Sequence, residues 1–196
     1  MQEKPTLFIM SPNRFPTLQS HDYILREIIP EDIAHIFKGL SDPDVVKYYG
    51  VQYDTIEATQ AQMDFFQALW DKQTGIWWAI NTRENLSFCG AIGLNNLQKQ
   101  HRKAEFGCWL LKEHWGKGIL QKTIPLVCQY AFDNLKLHRL EAWVESENIA
   151  CKKRLESLGF QHEGTLTDCE IKFGRFISLS MYALLQPHWN HISRFP

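Results

Sequence analysis

The feature that most limits what this chain can fold into is a short turn near its middle. Ala104 to Leu111 reads as a strand, and Leu120, Ile124, Val127 and Ala131 recur at the spacing of a helix. Between them lies Trp115-Gly116-Lys117-Gly118. Glycine lets a backbone turn tightly and come close to a ligand. The first N–H groups of a helix have no partner inside it and point outward. Together with the helix dipole they make a phosphate site. A strand, this turn and a helix, in that order, can hold a diphosphate. The Walker A pattern is absent, and so is the third glycine of a dinucleotide fingerprint, which removes two large classes of nucleotide binder. Taken alone, the two glycines also fit a plain loop.

The rest of the chain predicts a mixed α/β sheet. Tyr23 to Ile28 alternates as a short strand, and Pro30-Glu31-Asp32 opens a helix with Ile33, Ile36, Phe37 and Leu40 on its apolar face. Ser41-Asp42-Pro43 ends that helix and starts a short second one through Tyr48. Thr55 is the expected N-cap of a longer helix carrying Ile56, Met63, Phe66 and Trp70, which Gly75 stops. Strands are expected at 76–82 and 86–95, with a turn at Arg83-Glu84-Asn85. The helix after Gly118 is expected to reach Leu135 with a kink at Pro125, because an interior proline removes a backbone bond. Then come a strand at 139–145, a helix at 149–158 closed by Gly159, and strands near 161–171 and 175–185. Residues 1–20 read as a loose arm, 21–190 as one domain and 191–196 as a tail.

Composition narrows the function classes. A chain of 196 residues suits one domain that needs no disulfide or metal staple. Its 21 basic and 22 acidic residues give a net charge of -1, so nothing draws the whole molecule to nucleic acid or an anionic membrane. The apolar runs are too short to span a bilayer, and Met1 to Pro16 lacks the pattern of a secretory signal. Cys89, Cys108, Cys128, Cys151 and Cys169 are scattered, with no zinc-ligand spacing. They read as reduced thiols in a cytoplasmic protein that binds no metal.

With the turn in this setting, the chain resembles the GNAT N-acetyltransferases. Glu113-His114-Trp115-Gly116-Lys117-Gly118 looks like their phosphate loop. Within the family it resembles the branch of ribosomal-protein N-terminal alanine and serine acetyltransferases. Leu25-Arg26 with Pro30-Glu31-Asp32 and Ser41-Asp42-Pro43 is similar to that branch's N-terminal signature. Ala104-Glu105-Phe106-Gly107-Cys108-Trp109-Leu110 resembles its fourth strand. Asn148-Ile149-Ala150-Cys151, Leu158-Gly159-Phe160 and Glu163-Gly164 resemble its fifth helix and the turn after it, and Met181 to Leu185 its last strand. Two positions depart from the pattern: Glu113 stands where Gln or Arg is usual, and Cys151 where serine is frequent.

The resemblance implies a mostly antiparallel sheet of about seven strands with helices on both faces. It implies acetyl transfer from acetyl-CoA to a primary amine on a protein N-terminus, a lysine or a small molecule, by a monomer or homodimer. A catalytically weak acyl-CoA-binding sensor of the same fold is the alternative. Gly116, Lys117, Gly118 and Ile119 would hold the diphosphate, Leu110 and Leu111 would pair with the pantetheine arm, Asn148 would bond it, and Lys153 would reach the phosphates. Asn148 equally suits a helix cap, and Lys152 and Arg154 read as a solvated face. Backbone N–H groups near Cys108 to Leu110 would face the oxyanion. Glu170 ranks first and Glu105 second as the base for the amine, with Asp168 as a third acid. Asp168 and Glu170, two apart on a strand, should share a face opposite Cys169. Cys151 would protonate the departing thiolate or simply pack.

Overall fold

A computed structural model describes residues 14–192; the remainder of the expected arm, residues 1–13, and of the expected tail, residues 193–196, lies outside them. Eight strands form one sheet in the order β1-β2-β3-β4-β5-β6-β8-β7. They are β1 Leu18–Gln19, β2 Tyr23–Glu27, β3 Ile76–Thr82, β4 Phe88–Gln98, β5 Lys103–Leu110, β6 Arg139–Glu145, β7 Gln161–Lys172 and β8 Arg175–Leu185. Every neighbouring pair is antiparallel except β5–β6. A parallel pair needs a crossover, and the helix after Gly118 provides it.

The helices are α1 Ile33–Leu40, α2 Pro43–Val46, α3 Ile56–Asp71, α4 Ile119–Gln129, α5 Ile149–Ser157 and α6 Gln186–Ile192. They cover both faces because strand side chains alternate. One core joins Ile124 and Val127 of α4 and Leu155 of α5 to Leu25, Trp78, Ile92, Phe106 and Leu140. The other joins Ile36 and Leu40 of α1 and Met63 and Phe66 of α3 to Trp77, Ala91 and Trp109. The Thr55 hydroxyl accepts the Ala58 N–H at 3.1 Å and caps α3, while Ile56, expected on its apolar face, is exposed.

Four local expectations change. The Pro30–Asp32 segment is a separate 3₁₀ turn before α1. The α form runs on through Pro125 to Gln129 and then loosens into a π turn over Tyr130–Asn134, so the irregularity follows the proline instead of sitting on it. Residues 14–20, assigned to the loose arm, are tied down: Trp78 Nε1 donates to the Pro16 carbonyl at 2.8 Å, Phe15 packs on Trp70 at a centroid distance of 5.0 Å, and Leu18 starts β1. Within the expected tail, α6 continues to Ile192.

Candidate active site

The strands β5 and β6 run together only over Lys103–Glu105 and Arg139–Glu141. Beyond Glu105 and Glu141 they part, although β5 continues to Leu110 and β6 to Glu145. From the ends of the gap, β5 leads through residues 111–115 into the Gly116–Gly118 turn and β6 leads into α5. On β5, Leu111 donates its N–H to Cys89 of β4 at 2.9 Å. N–H groups alternate sides along a strand, so those of Cys108 and Leu110 face the gap. Of the two leucines assigned to the pantetheine arm, Leu110 therefore keeps a free donor and Leu111 does not. Trp115 Nε1 donates to the Leu110 carbonyl at 3.0 Å and braces the turn against the strand.

Gly116 and Gly118 have φ of 73° and 72°, the left-handed region that β-carbons disfavour. A Cβ added at either would meet nothing within 4 Å. Gly118 caps α4 with no side-chain bond. Among the described residues no acceptor is found for the N–H groups of residues 116–120, whereas Gln121 N–H bonds Gly118 at 3.1 Å. Consecutive outward N–H groups at a helix start, with open space before them, form an anion cradle.

The sheet's second face carries the acids. Glu105 ends the parallel pairing, is half-buried, and makes no ion pair or side-chain hydrogen bond among the described residues. Its neighbour Glu141 differs: burial alone would raise its carboxyl, but bonds from Arg139 at 2.7 Å and Lys103 at 3.1 Å outweigh this and lower it. Glu170 is exposed on β7, in register with Ile177. It stands three strands and six residues away from Glu105, which ideal strand spacing converts to about 25 Å. The two carboxylates do not meet at one amine. The shared face expected for Asp168 and Glu170 does not follow from alternation either. Four residues separate Leu166 from Glu170 where two separate Leu179 from Ile177, and Asp168 sits at φ 49° in that bulge, its N–H bonded to Ser178 Oγ at 3.0 Å.

Asn148 Oδ1 accepts the Cys151 N–H at 3.1 Å, so its cap role is realised. Cys151 is half-buried against the core below the gap, and burial pushes its thiol up to about 11. Burial, with a smaller effect of the nearby Cys151, also holds the Cys108 thiol well above its ordinary value. Both are neutral at physiological pH. Lys153 is exposed and bonds nothing among the described residues. Arg154, assigned to the solvated face, instead donates to Gln121 Oε1 at 2.8 Å, in the first turn of α4. That bond places its guanidinium beside the first turn of α4. Its place three residues after Cys151 puts it on the neighbouring stripe of the helix, a signal available from spacing.

Comparison with known proteins agrees with this geometry. Residues 22–161 match the acetyltransferase (GNAT) domain. The "Uncharacterized N-acetyltransferase YoaA" of Bacillus subtilis is 34% identical over 174 residues, covering 88% of this chain and 98% of that one. The chain belongs to the GNAT acetyltransferase family. It is an N-acetyltransferase by that membership, and its relatives include YdaF of Bacillus subtilis, named as a candidate ribosomal N-acetyltransferase, 37% identical over 103 residues with 53% and 56% of the two chains covered. The crystal structure of spermidine N-acetyltransferase from Vibrio cholerae, in complex with CoA and spermine, superposes with a TM-score of 0.77 at 22% identity, over 86% of this chain and 98% of that one.

Against the GNAT pattern, Glu113 gives its carboxylate to Lys38 of α1, so the unusual acid in the phosphate loop is neutralised by an ion pair. Among the described residues no group of three or more His, Cys, Asp or Glu side chains is arranged to hold a metal. No described helix is long and apolar enough to cross a membrane.

Proposed function

We propose that the chain transfers an acetyl group from acetyl-CoA directly to a primary amine. The observation that carries this reading is the gap between β5 and β6 joined to the open Gly116–Gly118 cradle. The diphosphate lies on the N–H groups of residues 116–120 beside Arg154, and the pantetheine arm runs along the gap to the N–H of Leu110. The acceptor approaches from the face of Glu105. That carboxylate takes the amine's proton, directly or through one water. The amine nitrogen then bonds the thioester carbon, whose oxyanion is met by backbone N–H groups of β5. Collapse breaks the carbon–sulfur bond and releases the thiolate, which takes a proton from Cys151; the nitrogen's second proton passes through water to the Cys151 thiolate, leaving the neutral amide, and Glu105 returns its proton to solvent. Glu105 displaces Glu170 as the first candidate for the base because it borders the gap and has no competing partner.

Free thiol should appear when acetyl-CoA and a primary amine are both present, and mass spectrometry should find the acetyl group on the amine. CoA binding with neither thiol release nor amine acetylation favours the binding sensor, and thiol release without amine acetylation points to hydrolysis instead of transfer to the amine. A neutral Cys151 suits a proton donor and not a nucleophile. Cys151→Ser should stay active, and Cys151→Ala should lower kcat about tenfold, since water can still protonate the thiolate. An acetyl adduct on Cys151 after acetyl-CoA alone would replace direct transfer with a covalent route.

A further inference from the structure

An interior strand normally has both faces covered. On β6, Leu140, Ala142 and Val144 obey this against α4 and α5, at 0%, 3% and 5% exposure. Trp143 lies between them on the opposite face and is 41% exposed. In register with it on β8 is Met181; Leu179 follows on that face, and Leu166 of β7 extends the row at 54% exposure. The face is the one that α1 and α3 cover over β3 and β4. Over β6, β8 and β7 that second core does not continue; the Lys47 carbonyl after α2 touches the edge at Lys172, and an apolar strip crosses the face from Trp143 outward.

The strip starts at the reaction gap. Had β5 and β6 stayed paired past Glu105 and Glu141, Gly107 would stand beside Trp143. An amine held near Glu105 therefore has Trp143 as its next neighbour across the gap. The charges on this face decide what the rest of that molecule is. Glu141 is held by Lys103 and Arg139, Glu163 by Arg139 at 2.6 Å, and Glu145 by Lys172, whose ammonium also donates to the Lys47 carbonyl at 2.7 Å. A polyamine brings several ammonium groups on one short chain and needs an acid for each. Here Glu141, Glu163 and Glu145 are already matched, and the acids of β7 without an ion pair among the described residues, Asp168 and Glu170, lie at the far end from Glu105.

We infer that the strip led by Trp143 seats the body of the acceptor, which is a monoamine joined to an apolar group such as an aralkyl or hydrophobic side chain. The inference rests on the transferase reading above and names the residue that selects the acceptor. Apolar contact with a half-exposed tryptophan removes a large area from water, and this outweighs the smaller attraction of an ammonium over an exposed ring.

Initial rates with acetyl-CoA and either phenethylamine or spermidine test this. Phenethylamine should have the higher kcat/KM by about tenfold or more. Trp143→Ala should raise the KM for phenethylamine about tenfold while leaving the KM for acetyl-CoA unchanged, and Trp143→Phe should keep most of the preference. Tryptophan fluorescence of the CoA-bound protein, titrated with phenethylamine and compared with Trp143→Phe, reads the contact without turnover. Preference for spermidine, an unchanged amine KM in Trp143→Ala, or no fluorescence change that depends on Trp143 overturns the assignment. A Trp143-dependent signal without thiol release from any amine leaves the strip standing and removes the transferase reading.

Discussion

Gly118→Val should abolish coenzyme A binding, a loss of at least about 100-fold in affinity, in a protein that still folds. Two effects combine. At φ 72° a β-branched residue is strained, so the turn must move, and the N–H groups of residues 116–120 lose their common direction. The added side chain also projects into space that the protein itself leaves empty, since a Cβ there meets nothing within 4 Å. The folded protein has no use for that space, but a diphosphate on the helix start does. Gly118→Asn separates the causes, because asparagine tolerates the left-handed region while keeping a side chain. If Asn restores binding, backbone direction decides; if both variants fail, space decides. Calorimetry on variants with wild-type circular dichroism gives the answer, and unchanged CoA affinity in folded Gly118→Val would move the cofactor elsewhere.

The sequence made this turn legible because its signal is local: glycines, a preceding strand and a following helix lie within a few residues. The same holds for the Thr55 cap and for the strand segments read at 76–82 and 139–145. What was not legible depends on partners distant in the chain. The Pro-rich stretch before β1 has no period, and only Trp70 and Trp78 hold Phe15 and Pro16 in place. The bulge in β7 depends on Ser178 taking the Asp168 N–H, which alternation along β7 alone cannot reveal. Arg154 read, with Lys152, as part of a solvated helix face until its bond to Gln121 of α4 set it apart. Glu105 is proposed ahead of Glu170, reversing the sequence ranking, for the same reason. Spacing along a strand says which face a side chain takes, but not how far along the sheet a reacting group lies.

Glu105→Gln should lower kcat by about 10²- to 10⁴-fold at neutral pH, the usual contribution of a positioned general base. Glutamine keeps the shape and the hydrogen-bonding reach, so a structural role would leave the rate nearly intact. Glu105 ends the β5–β6 pairing and carries no ion pair among the described residues, which leaves its carboxylate available to an incoming ammonium. Glu141, in register with it, is not an equivalent substitute, because Arg139 and Lys103 already hold it as an anion and lower its affinity for a proton. The loss in Glu105→Gln should shrink as pH rises. An alkylamine has a pKa near 10.4 and an α-amino group near 7.7–8.0, so above these values the free amine forms without a base. The crossover pH thus also reports the acceptor class: recovery near pH 8 points to an α-amine, and recovery only near pH 10 to an alkylamine. Glu170→Gln should stay close to wild type, because Glu170 is exposed and about 25 Å from Glu105 by strand spacing. If instead Glu170→Gln loses the rate and Glu105→Gln keeps it, the β7–β8 hairpin folds over the gap during turnover and the base sits on β7. If neither matters, the amine arrives neutral and the gap works by holding it against the thioester.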